Sequence, residues 1–163
     1  MKKALVLPVI AAAAVIAAVL IVLFIPKGQK GAASSVMARN GDGNLVIRTT
    51  DLSGERISFL RVGGDSKIEI LARKGDDGKA KAALGTCQSC NGSPNAYYTQ
   101  EGSLLKCNNC GLTFPLNVID EPGGGCHPIS IDPAAITETD DSLILDAQAI
   151  SQYEPLFEGV AAH

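Results

Sequence analysis

The residues able to do chemistry in this sequence are five cysteines: Cys87, Cys90, Cys107, Cys110 and Cys126. Four of them form two Cys-x-x-Cys pairs with 16 residues between the pairs, and the fifth follows after 15 intervening residues in Gly123-Gly124-Gly125-Cys126-His127-Pro128. A Cys-x-x-Cys turn aims two thiolates at one ion while its backbone N–H groups point at the sulfurs and offset their charge. Gly111, directly after the second pair, suits a tight knuckle that needs a positive φ. Between the pairs, Tyr97–Thr99 and Ser103–Lys106 flank Glu101-Gly102, which is a hairpin signal. Two knuckles joined by a hairpin bring four sulfurs together, as in zinc ribbons and rubredoxin-like sites. The spacing therefore predicts a shared metal site for Cys87, Cys90, Cys107 and Cys110. Disulfides are the competing reading, but an odd number of cysteines leaves one unpaired, and Cys-x-x-Cys disulfides are strained and redox-active rather than structural. A thiol–disulfide enzyme presents one such pair at a helix N-terminus, which two pairs on a hairpin do not resemble.

Cys126 sits in a different setting. Three glycines before it allow close backbone approach to a bulky centre, and Pro122 and Pro128 stiffen the loop. Such a loop suits an iron–sulfur cluster better than a zinc ion that four thiolates already saturate; the plainer alternative is a spare cysteine beside the site. His127 reads either as a ligand or as a solvated loop histidine, and His163 carries no signal. Tyr97 and Tyr98 either shield the site or belong to the core. Asp76-Asp77 and Asp140-Asp141 read as solvated turn charges without a calcium-loop pattern. No Ser-His-Asp set, phosphate loop or paired-carboxylate arrangement is present, so no small-molecule substrate is indicated.

Short strands must position these residues. Asn44–Thr49, Glu55–Val62 and Lys67–Ala72 read as strands, the last alternating with Ile68, Ile70 and Ala72 on one face and charges on the other. Gly63-Gly64-Asp65 and Gly75-Asp76-Asp77-Gly78 are turn signals. Lys79–Leu84 leads into the first cysteine pair. Beyond the cysteines, Pro128–Ile131 and Ser142–Leu145 read as strands, and Asp146–Tyr153 as a short helix with Asp146 at its N-cap. The fold class expected is mainly β (small α+β): an antiparallel meander with a two-knuckle metal site. The chain has no Trp, four Phe and three Tyr, so its core must rest on Ile, Leu and Val, and a bound metal would add to a small core of this kind.

Ala4–Ile25 contains no charged residue. A helix of that length spans roughly 33 Å, enough for a bilayer core of about 30 Å. The expected organisation is a membrane anchor over 1–25, a flexible Gly/Ala/Ser-rich linker over 26–43 and a metal-binding domain over 44–163. Large residues from Leu20 to Ile25 favour an uncleaved anchor over a signal peptide cut near Ala32-Ala33. Lysines on both sides weaken the positive-inside signal; a short N-terminal tail favours a single-pass protein in the cell membrane with its domain outside the cytoplasm. The whole chain carries −3, and Lys2, Lys3, Lys27 and Lys30 give the first 30 residues +4, so the remainder carries −7. An acidic domain is a poor binder of phosphate backbones, which sets nucleic acid aside.

From about Leu45 to Phe157 the sequence resembles the membrane iron–sulfur proteins similar to FtrD, a component of bacterial ferrous-iron uptake systems. The resemblance rests on Lys81-Ala82-Ala83-Leu84-Gly85-Thr86-Cys87-Gln88-Ser89-Cys90, Tyr97-Tyr98, Leu105-Lys106-Cys107-Asn108-Asn109-Cys110-Gly111, Phe114-Pro115-Leu116-Asn117 and Gly123-Gly124-Gly125-Cys126-His127-Pro128-Ile129, in that order. It implies an iron–sulfur centre with Cys87, Cys90, Cys107, Cys110 and Cys126 as candidate ligands. It also implies electron transfer beside a membrane transporter or reductase. Relatives often carry several membrane helices before the domain where this chain has one candidate, and the family's Asn after the last cysteine is His127 here. Two other functions compete: a structural zinc domain that binds a partner, and a thiol–disulfide redox protein.

Overall fold

The computed structural model describes residues 36–161. The candidate anchor, most of the linker and His163 lie outside the described residues. Within them no helix is long and apolar enough to cross a membrane. In chain order the strands are β1 (Met37–Arg39), β2 (Leu45–Arg48), β3 (Ser58–Arg61), β4 (Glu69–Lys74), β5 (Ala80–Cys87), β6 (Tyr98–Glu101), β7 (Leu104–Cys107), β8 (Thr113–Pro115), β9 (Pro128–Ser130), β10 (Ile136–Glu138) and β11 (Ser142–Leu145). One α-helix, α1 (Ala147–Ser151), follows. The Asp146 carboxylate accepts from the Ala149 N–H at 2.7 Å, the N-cap expected from the sequence.

The strands form three sheets, ordered β1-β2-β11-β10, β3-β4-β5-β9 and β6-β7-β8, and every named pairing is antiparallel. The meander reading holds for β3-β4-β5 and for β6-β7-β8, which succeed one another through short turns. It fails where distant strands meet: β2 pairs with β11, and β5 with β9. The far end of the linker segment is also structured. Met37–Arg39 pair with β2, and the Asn40 side chain accepts from the N–H groups of Asp42 and Asn44, closing a turn that ends on Gly43 at φ 85°.

The middle sheet is covered on both faces. One face packs Leu60, Ile70, Ala72, Ala82 and Leu84 against Leu45, Ile47, Leu143 and Leu145 of the first sheet. On the other face Leu71 joins Tyr98, Leu105 and Cys107 of the third sheet, with Cys87, Leu116 and Ile119. This corrects the half-solvated reading of Lys67–Ala72, because Glu69 and Arg73 are buried with Leu71. Arg73 is held by the Gly54 carbonyl at 2.8 Å and Asp76 at 3.2 Å. Gly85 leaves the room Glu69 occupies: a Cβ there would lie 2.8 Å from Oε1 of Glu69. The C-terminal stretch is stapled to the turn before β4, where the Glu154 carboxylate accepts from Lys67 N–H at 2.7 Å and from the Ser66 hydroxyl at 2.8 Å.

Candidate metal centre

Three segments deliver the cysteines. Cys87 is the last residue of β5, where the pairing with β9 shifts register between Leu84 and Cys87. Its N–H donates to Ala96 O at 3.0 Å, and the Thr86 hydroxyl donates to the same carbonyl at 2.9 Å. The chain then turns so that Cys90 N–H donates to Cys87 O at 3.2 Å. Cys107 is likewise the last residue of β7, set opposite Tyr98. Its knuckle closes with Gly111 N–H to Cys107 O and Cys107 N–H to Leu112 O, both 2.9 Å, and Gly111 has φ 76°, the conformation its position predicts. Cys126 arrives with β9, whose register sets Pro128 opposite Cys87 while Gln88 N–H donates to His127 O at 3.0 Å.

The sulfurs converge as two overlapping groups. Those of Cys87, Cys90 and Cys107 lie within 4.8 Å of one another, and so do those of Cys90, Cys110 and Cys126. Cys90 is common to both. The Cys110 and Cys126 Sγ atoms are 3.2 Å apart, and all five cysteines are free thiols. Neither nitrogen of His127 belongs to either group.

The electrostatics divide the site. Burial pushes the Cys87 thiol up to about 11 and the Cys107 thiol up to about 12. Cys110 is held down at about 7, chiefly by the Leu112 backbone N–H, and Cys126 is pushed up to about 11, chiefly by its hydrogen bond with Cys110. Cys110 is therefore the more acidic of the two. Backbone N–H groups also meet the buried sulfurs, from Cys90 on Cys87 and from Asn109 and Cys110 on Cys107. This is the charge-offsetting pattern expected of Cys-x-x-Cys knuckles. A donor set of soft sulfur with preplaced N–H groups fits iron–sulfur clusters or zinc, and does not fit the oxygen-seeking Mg²⁺ or Ca²⁺.

One glycine of the loop has a neighbour of its own. A Cβ on Gly123 would lie 2.5 Å from Cγ and 2.6 Å from Nδ1 of His127, so the glycine makes room for the imidazole. That ring packs on Phe114, with centroids 4.5 Å apart, and its Nδ1 is buried with no hydrogen-bond partner among the described residues. Gly125 takes φ 80°, and Gly124 has nothing within 4 Å of its Cβ position. The loop is shaped by His127 and by one left-handed turn. Tyr98 is fully buried, and its hydroxyl donates to Cys126 O at 2.6 Å; Tyr97 is half-buried and bridges Thr86. The acidic pairs are structural: Asp76 bonds Arg73, and Asp141 accepts from the Thr139 and Ser142 hydroxyls at 3.1 and 3.0 Å. The sharing of Cys90 between both groups had no local signature, because it depends on segments far apart in the chain.

A family model described as "FtrD-like: Membrane iron-sulfur containing protein FtrD-like" matches residues 50–157. No curated protein and no solved structure matches the chain.

Proposed function

Because the chain belongs to the FtrD-like family of membrane iron–sulfur proteins, we propose that the cysteine centre holds an iron–sulfur cluster and that the protein is a membrane-anchored electron carrier. The observation that carries this reading is the convergence of five thiols from three segments with unequal exposure. Bound there, an iron–sulfur centre supplies one-electron chemistry at a potential set by hydrogen bonds to sulfur and by solvent access. Cys87 and Cys107, both fully buried, exclude water from one side and hold their sulfurs against the core. The N–H groups of Cys90, Asn109, Cys110 and Leu112 offset thiolate charge. Cys110 is exposed and is followed by Leu112, 55% exposed, so a redox partner reaches the site from this side.

The domain organisation fits this role. Residues 1–25 anchor the protein by a single membrane helix, the stretch before β1 tethers it, and the β domain that follows stands on the extracytoplasmic side. The partner is then a membrane reductase or transporter of an iron-uptake system, the setting from which the family takes its reference protein.

Anaerobically purified full-length protein should contain iron and acid-labile sulfide, with visible absorption that bleaches on reduction. Protein lacking both elements under iron-replete expression overturns the proposal. A second reading, a structural zinc site, is favoured by one observation: the sulfurs of Cys87, Cys90 and Cys107, three of the four Cys-x-x-Cys residues, lie within 4.8 Å of one another, the compact thiolate set that a single zinc takes. Cys126→Ser separates the two. Loss of the metal marks a cluster that uses Cys126, and full retention marks a site of the four Cys-x-x-Cys sulfurs.

A further inference from the structure

We propose that Tyr98 is the positioning residue of this centre, its hydroxyl fastening the Cys126 loop to both cysteine knuckles. The proposal rests on the reading of the five cysteines as one metal-holding set. Tyr98 heads the fully buried side chains by volume. It stands opposite Cys107 in the β6–β7 pairing, its hydroxyl donates to the main-chain carbonyl of Cys126 at 2.6 Å, and its ring shares one buried cluster with Cys87. One side chain thus touches all three segments that bring sulfur to the site.

Bulk alone does not account for a tyrosine here. Phe59 and Phe114 pack against the same cluster, so phenylalanine would fill the space without a hydroxyl that must be satisfied when buried. The hydroxyl has one proton, and at 2.6 Å it goes to the Cys126 carbonyl. That bond fixes the loop that aims Cys126 at Cys110, 3.2 Å away. Loss of such an outer-shell contact changes how a sulfur of the centre is held and hence the potential of a thiolate-held cluster.

The test is Tyr98→Phe in the full-length chain in detergent. In metal-free, reduced protein, alkylation of Cys126 by N-ethylmaleimide should accelerate about fivefold to tenfold, the effect of removing one hydrogen bond that holds the loop closed, while Cys110 stays within twofold. In iron-loaded protein the reduction potential should shift, because the segment that presents Cys126 is no longer fastened and the outer-shell contacts of the centre change with it. Unchanged Cys126 alkylation together with an unchanged potential overturns the proposal. The alkylation arm runs without metal, so its failure is distinct from a failure to find iron and sulfide. Should the variant not fold, the wild-type protein still decides the matter. Its Tyr98 hydroxyl proton should exchange slowly enough to be seen by NMR, with a nuclear Overhauser contact to the His127 amide; a hydroxyl exchanging at the solvent rate overturns the assignment.

Discussion

Brief treatment of the metal-free, reduced protein with iodoacetamide at pH 7 should label Cys110 well ahead of Cys87 and Cys107. The Cys110 thiol is held at about 7 by the Leu112 N–H, whereas burial lifts Cys87 to about 11. At pH 7 that leaves roughly half of Cys110 as thiolate and about one part in ten thousand of Cys87. A less basic thiolate is also a weaker nucleophile, and with a Brønsted slope of about 0.4–0.5 the four-unit gap returns a factor of roughly 40–100. The remaining preference is about a hundredfold, before counting that Cys87 is fully buried and Cys110 exposed. Quenching at intervals, digesting and quantifying modified peptides by mass spectrometry measures it. The pH dependence has a fixed sign: the Cys110 rate falls about tenfold per unit below pH 7 and levels off above it. Labelling of Cys87 as fast as Cys110, or a Cys110 rate flat between pH 6 and 8, would refute the division of the site into an ionised edge and a protonated, buried side.

Other perturbations follow from the same geometry. Gly123→Ala places a methyl group 2.5 Å from the His127 ring and should lower the unfolding free energy by about 1–3 kcal/mol by denaturant titration; Gly124→Ala, with open space around it, should be close to neutral. Metal-free protein should lose stability as pH rises above 9. The folded pKa values of Cys87 and Cys107 lie above the ordinary thiol value, so their contribution is complete below pH 9 and is lost as the pH climbs towards 11–12, at up to about 1.4 kcal/mol per unit for each thiol. Chemical denaturation at pH 8 and pH 10 checks the direction. Asp146→Ala removes the cap of α1 and should cost about 1 kcal/mol, read as a lower Tm.

Local features of this chain were legible and distant ones were not. The turns at Gly63-Gly64 and Gly75–Gly78, the strand over Ser142–Leu145, the Asp146 cap and the Gly111 knuckle each depend on a few neighbouring residues, and each appears where its sequence places it. The pairings of β2 with β11 and β5 with β9 join segments separated by long stretches of chain, and no turn chemistry announces them. The alternation in Lys67–Ala72 correctly separated two faces but could not reveal that the charged face is covered. Glu69 and Arg73 look like solvent residues until the third sheet packs over Leu71 beside them. The glycines before Cys126 were legible as a need for space, but the group occupying that space at Gly123 is His127.

The unequal character of the five thiols follows from how strands become knuckles. The first cysteine of each pair closes a strand: Cys87 ends β5 and Cys107 ends β7. A residue at that position still obeys the alternation of its sheet, and in both strands its side of the sheet is the one packed between layers, so both first cysteines are buried. The second cysteine of each pair lies three residues on, where the chain has left the sheet, so Cys90 is half-buried and Cys110 is exposed. Burial of one sulfur and exposure of the other is therefore built into a Cys-x-x-Cys motif that begins on the last residue of a sandwiched strand. Cys126 adds a sulfur from the open side, because the strand it precedes, β9, pairs along the same β5 that carries Cys87. Sliding β9 by one residue would turn its alternation over and break the Pro128–Cys87 register. The pairing of two strands far apart in sequence thus decides whether the fifth sulfur reaches the other four.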